Sequence, residues 1–324
     1  MKSSSRFLRI QRAFAAHSMA IAKSPFIWYL AITCFFGNGF AAADTIYMST
    51  DTSIVRFDSS GNQSVFADAS SGLDTPTGIA FDTSGNLYVA NYWSNTIVRI
   101  DSNGNGSVFA NTEMDKPRGI AFDTSGNLYV ANWGNNTIEK FDSNGNATLF
   151  ASTNLNSPAG LAFDASGNLY VANGGSTTPA LGTIVKFDTS GNSSIFPNPY
   201  TGGHYYGALA FDSAGNLFVA DYVYGTIEEF DPTGKGSVFA DHDSGLWSPY
   251  GIAFDSDGNL YAANRGDGTI LEFDVNGNKT VFASNPSMPS PFIAIQVPEP
   301  SAFSLLALGV LALLGTRRHL RRPS

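Results

Sequence analysis

The sequence predicts an all-β chain folded as a six-bladed β-propeller, and three observations predict it. A 14-residue motif, first seen from Gly78 to Asn91, occurs five times at a spacing of 41–48 residues. Each unit holds four short β-type runs separated by turn residues. The repeats begin and end on half a unit, so the two ends of the repeat region complete one blade between them. Four antiparallel strands at a period near 40 make one propeller blade.

The motif Gly78-Ile-Ala-Phe-Asp-Thr-Ser-Gly-Asn-Leu-Tyr-Val-Ala-Asn91 recurs over 119–132, 160–173, 208–221 and 251–264. Each copy runs on into Thr-Ile-x-x-[Phe/Ile]-Asp and a stretch like Ser-Val-Phe-Ala. In the second unit the β runs are 79–81, 87–91, 97–100 and 107–110. Asp82-Thr-Ser-Gly-Asn86 joins the first pair and Asp101-Ser-Asn-Gly-Asn105 the last. In each, the Asp caps the turn and the Gly takes positive φ, which specifies a type I turn with a G1 bulge.

The hairpin count sets the blade number. Asp44 to Thr50 reads as a second strand with no first strand before it, and Pro291 to Ile295 as a first strand with no second after it. Pairing of 293–295 with 46–50 closes the ring. Six blades closed in this way need six outer hairpins and five inner ones. Outer turns start at Asp58, Asp101, Asp142, Asp188, Asp231 and Asp274, and inner turns at Asp82, Asp123, Asp164, Asp212 and Asp255. A seven-bladed ring would need a whole repeat that the sequence lacks.

Hydrophobic residues make up 43% of the chain, ample for a packed core, and 33 glycines suit many tight turns. Charge is divided unevenly. Residues 44–296 carry nine basic and 26 acidic side chains, a formal charge of −17. Such a body repels phosphate backbones and excludes nucleic acid as a partner. The single cysteine, Cys34, lies outside this body, so stability there rests on packing and sheet closure.

The two ends read as addresses. Residues 1–43 form a signal peptide: a basic lead from Lys2 to Lys23, an apolar run from Phe26 to Phe36, and Ala41-Ala42-Ala43 as the cleavage site. An uncleaved membrane anchor is the alternative. Residues 44–296 form the propeller. Residues 297–324 hold Pro298, Glu299 and Pro300, an apolar run over 302–315, and Arg317, Arg318, Arg321 and Arg322. The apolar run is short against the ~20 residues that span a bilayer. We expect a short transmembrane helix, its basic tail held on the cytoplasmic side.

The repeat Gly-Ile-Ala-Phe-Asp-x-x-Gly-Asn-Leu-Tyr-Val-Ala-Asn resembles the NHL repeat. It is also similar to the wider six-bladed superfamily of gluconolactonase-like enzymes and streptogramin lyases. The tail closely resembles the PEP-CTERM sorting signal. That resemblance implies export in a Gram-negative bacterium, anchoring at the C-terminus, and an exosortase-type membrane protease as partner, commonly beside exopolysaccharide synthesis. In gluconolactonase-like relatives, carboxylates and carboxamides just before the first strands bind a divalent metal. The matching positions here are Thr77, Arg118, Ala159, Gly207, Tyr250 and Pro291. None is such a ligand, so metal-dependent lactonase activity does not carry over, and neither a metal nor a cofactor is expected.

Loops joining strand four to the next strand one, and strand two to strand three, share the top face of the ring. The Asp hairpins and both ends of the body share the bottom. Top loops are rich in rings, and stacking rings with polar tips suit sugar or protein recognition. The candidate ligand-binding residues are Trp93, Trp133, Tyr205, Tyr222, Tyr224, Trp247 and Tyr250, with Arg118. The Asn residues ending the second strands either bind hydroxyls or cap turns. His204 and His242 read as ordinary loop histidines. A Cys nucleophile and a Gly-x-Ser-x-Gly elbow are absent from the body, the Asp turns lack the distant Glu of an EF-hand, and no catalytic residue is assigned. The leading reading is a surface-associated binding or scaffold protein that recognises exopolysaccharide or another envelope component. Its rivals are an exported hydrolase or lyase using His204 or Arg118, and a passive part of the envelope matrix.

Overall fold

The computed structural model describes residues 44–175, 182–197, 203–284 and 291–297; the expected signal peptide, the sorting motif Pro298, Glu299 and Pro300 and the expected C-terminal helix lie outside them. Among the described residues the strands form six four-stranded antiparallel sheets. Blade one joins Ile293–Gln296 to Thr45–Ser49, Ile54–Phe57 and Gln63–Ala67. Blade two holds Pro76–Phe81, Leu87–Asn91, Thr96–Ile100 and Gly106–Ala110. Blades three to six start at Pro117–Phe122, Pro158–Phe163, Tyr206–Phe211 and Pro249–Phe254.

Closure by the two ends is as expected. Thr45, Ile46, Tyr47 and Met48 pair with Gln296, Ile295, Ala294 and Ile293. Both ends lie beside inner hairpins: Ser256 N–H donates to the Asp44 carboxylate at 2.7 Å, and the Gln296 amide lies next to Gly85 of the Asp82 turn.

The first strands depart from the expected bounds. In blades two to six each starts three residues early, and its register shifts at a bulge two residues in, between Pro76 and Ile79 in blade two. Thr77, Arg118, Ala159, Gly207 and Tyr250 therefore sit inside the strands, not before them. A bulge leaves its residue out of the ladder and re-aims the side chain.

Packing between blades repeats with the sequence. Tyr129 of the second strand in blade three meets Phe150 of its own blade and Phe163 of blade four edge-on, each at 5.0 Å. Tyr88 and Tyr170 do the same one blade back and one blade on. The core is thus a series of seams between adjacent sheets, such as Tyr129, Ala131 and Ile138 against Leu161, Leu169 and Val171.

All eleven Asp turns form as the motif requires. At Asp101, for example, the Gly104 N–H donates to the Asp carbonyl and the Asp N–H to Asn105 carbonyl oxygen, both at 3.0 Å. Gly104 takes φ +86°. The Asp101 carboxylate accepts the Asn105 amide and the backbone N–H groups of Asn103 and Asn105.

These contacts hold the carboxyls of Asp58, Asp101, Asp142, Asp188, Asp231 and Asp274 below their ordinary value, with the side chain four residues on, or Thr233 for Asp231, as the largest cause. A folded-state pKa below the unfolded one contributes stability above the unfolded value, and that stability is lost as pH falls through the folded one. The melting temperature should therefore fall below pH ~4. Asp101→Asn with Asp142→Asn should fall less than wild type between pH 5 and pH 2.5. Parallel acid limbs for the two proteins would contradict this account.

Candidate functional site

Two groups of polar side chains stand apart from the repeat, one at the channel mouth and one inside blade five. The mouth is built on bulge residues. Arg118, at the bulge of blade three, reaches the far side of the ring. Its Nη1 donates to Tyr250 Oη at 2.7 Å in blade six and to Tyr205 Oη at 3.2 Å at the entry to blade five.

The guanidinium carbon lies 5.2 Å from the Trp133 ring centre and 5.6 Å from that of Tyr92. Beside it, Lys116 stands 5.7 Å from Trp133 and 5.8 Å from Trp93, and Arg265 stands 5.0 Å from Tyr222. Tyr222 joins the group edge-on to Tyr205 at 5.9 Å and Tyr250 at 6.4 Å. Three of the nine cations of a strongly acidic body thus converge with six rings.

Arg118 forms no ion pair among the described residues, and its Nε and Trp133 Nε1 are buried without a hydrogen-bond partner. Burial works against its charge, but the phenol oxygens of Tyr250, Tyr205 and Tyr92 outweigh it and raise its pKa. Burial likewise raises the Tyr250 phenol, which stays neutral.

The predicted residues divide accordingly. The structure brings Arg118, Trp133, Tyr205, Tyr222 and Tyr250 together, with Trp93 at the rim. Tyr250 is buried, at 2% exposed, rather than presented to a ligand. Trp247 stacks on His242 at 4.9 Å, and Tyr224 lies against His204 at 4.5 Å. Neither touches Arg118. Asn91, Asn132, Asn173 and Asn264 are buried caps: Asn91 Oδ1 accepts from Asp74 N–H, and its amide donates to Gly72 carbonyl oxygen and Thr96 Oγ1.

The second group corrects the reading of His204 as an ordinary loop histidine. Its ring is 6% exposed, and Nδ1 bonds the Asp221 carboxylate and lies 3.6 Å from Glu228 Oε1. Tyr206 Oη donates to Glu228 Oε2 at 3.0 Å. Burial pushes the Glu228 carboxyl up to about 8; the Tyr206 hydrogen bond opposes this and the Asp221 charge adds to it. The signal lay in the repeat: blade five has Asp221 where the four other complete copies have Asn.

Comparison with known families bears on both ends of this description. Residues 114–141 match the NHL repeat, residues 67–90 a β-propeller repeat, and residues 296–322 the PEP-CTERM protein-sorting motif. The chain is a six-bladed β-propeller that carries an NHL-repeat match and a PEP-CTERM sorting motif. Among curated proteins none matches its sequence.

Solved structures similar to this propeller have varied roles. A chain of the nidogen/laminin complex aligns over 98% of its length and 78% of this one, with TM-score 0.68 and 19% identity. Virginiamycin B lyase from Staphylococcus aureus aligns over 73% of its length and 74% of this one, with TM-score 0.54 and 16% identity. A streptogramin B lyase aligns over 75% of its length and 80% of this one, with TM-score 0.53 and 19% identity. At these identities the likeness is one of fold, and fold alone does not carry function.

Proposed function

We propose that this propeller is an exported, surface-associated binding module whose channel mouth takes an acidic sugar or a similar anionic, ring-bearing ligand. The observation that carries this reading is Arg118: a guanidinium held in a cage of Tyr92, Trp133, Tyr205 and Tyr250 that, among the described residues, has no carboxylate paired to it and no partner for Nε. A planar fork of donors matches a carboxylate or sulfate, and neighbouring rings stack on a sugar face. Lys116 and Arg265 extend the positive rim.

The PEP-CTERM motif supports export and handling by exosortase-type machinery. Asp44 and Gln296, the two ends of the propeller, lie among the bottom hairpins, on the face opposite the mouth. The rival reading as a hydrolase or lyase needs a general base at the mouth. The groups touching Arg118 are phenols and an indole, which favours binding.

The test is titration of the detergent-solubilised full chain with oligogalacturonate and, separately, neutral maltohexaose. Wild type should prefer the acidic probe, and Arg118→Gln or Trp133→Ala should weaken it at least about tenfold, in keeping with loss of a charge-assisted contact. Asp101→Asn with Asp142→Asn, on the bottom face, should bind as wild type. Equal binding of both probes, or mouth variants that bind normally while the bottom pair does not, would overturn the reading.

A further inference from the structure

We propose that His204, Asp221 and Glu228 form a divalent-metal site of the zinc class at the top of blade five, on the side that packs against blade four. The candidate ligand atoms, His204 Nδ1 and one carboxylate oxygen each from Asp221 and Glu228, all lie within 4.8 Å of one another. Zinc binds imidazole nitrogen and carboxylate oxygen at about 2.0–2.2 Å, and small side-chain movements bring three atoms at that spacing onto one cation.

Charge argues in the same direction. The three residues are 6%, 0% and 2% exposed. Two buried carboxylates beside one imidazole leave negative charge uncompensated when both ionise, and burying such charge is costly. A divalent cation cancels it.

The surroundings orient the ligands as a metal requires. Tyr206 Oη holds the second oxygen of Glu228. Asp221 Oδ1 accepts the backbone N–H groups of Val223 at 2.9 Å and Tyr224 at 3.1 Å, leaving Oδ2 for the cluster. The Tyr224 ring lies over the imidazole.

The repeat supplies an internal control. Elsewhere the position of Asp221 is Asn, which accepts the backbone N–H of Asp74, Asp115, Asn156 or Trp247. His204 takes the place of those four residues. Glu228 takes the place of Val98, Val185 and Leu271; blade three alone has another acid there, Glu139, beside an unaltered Asn132. Asp74 in blade two and Asp115 and Glu139 in blade three also put carboxylates at these positions, always beside an Asn, and of the five complete copies blade five alone has a His and two carboxylates there. The site is separate from the Arg118 cage and does not rest on the proposed ligand there.

The experiment uses the full chain in mild detergent, stripped with EDTA, desalted, and reloaded with zinc, manganese or calcium chloride. Elemental analysis after a second desalting should find one zinc per chain. At a hundredfold excess over Kd the melting temperature should rise by about 5 °C or more. Asp221→Asn restores the residue of the other blades and should abolish both retention and rise. Glu228→Val, the residue of blades two and four, should do the same and serves if Asp221→Asn does not fold. Absence of retained metal in wild type, or equal retention and shift in a folded variant, would sink the proposal.

Discussion

Deleting residues 291–296 while keeping the tail should lower the melting temperature by about 10–20 °C. The segment supplies the inner strand of blade one, pairing residue by residue with Thr45 to Met48. It also ties the ring at Ser49, whose N–H donates to Phe292 carbonyl oxygen at 3.0 Å and whose hydroxyl accepts the Phe292 N–H at 2.9 Å. Phe292 and Ile293 are both 7% exposed. Returning each to water costs about 1.5–3 kcal/mol, before the lost ladder bonds and the bare edge left on Thr45–Ser49. A loss near 5 kcal/mol is comparable to the whole stability of many domains, and at this size each kcal/mol moves the midpoint by about 2–4 °C. Hydrogen exchange should show Thr45–Ser49 exchanging as an edge strand. A deletion variant that melts with wild type would mean that the ring is not closed through this strand.

Most of the fold was legible because the blade is specified locally. Each Asp-x-x-Gly-Asn turn carries its own cap and its own positive-φ residue, so hairpin positions could be read from single motifs. Closure was legible because the half units at the two ends are complementary in strand type. The first strands were less so. Their early start and bulge, as at Pro76 to Ile79, depend on contact with the neighbouring blade, which no motif within one repeat encodes.

The sites were legible in part. Arg118 and the aromatic residues could be placed on the top face from the loop order alone. Their division into a cage around Arg118 and separate stacks on His204 and His242 depends on distances across the ring. The His204 cluster was missed because its members are 17 and 24 positions from His204 in sequence and each alone is unremarkable in type. The Asn to Asp change at Asp221 gains meaning only when the buried position is known to demand an amide, as Asn91 and Asn132 show. Repeats make such departures readable, since identical blades are the reference.

Gly119→Ala should lower stability by about 3 kcal/mol or more, at the upper end for overpacking, whereas Gly126→Ala should cost about 1–2 kcal/mol. The two glycines do different work. Gly126 sits in a hairpin at φ +82° with open space where a Cβ would go, so its cost is conformational. Gly119 has no such φ; a Cβ there would lie 2.1 Å from Ala159 carbonyl oxygen and 3.1 Å from Gly160 Cα. The obstruction is backbone, which cannot rotate away. The same contact recurs around the ring: Gly78 against Arg118 carbonyl oxygen at 2.0 Å, Gly160 against that of Gly207 at 2.3 Å, and Gly251 against that of Pro291 at 2.3 Å. First strands therefore pack backbone to backbone from blade to blade, and Phe292 completes the circuit in blade one. This packing also sets where Arg118 starts its reach across the mouth. Gly119→Ala should thus weaken oligogalacturonate binding as well as lower the melting temperature by roughly 10 °C, and Gly126→Ala should leave binding intact. If Gly126→Ala proves the more damaging in thermal melts, close contact between first strands is not what holds the ring.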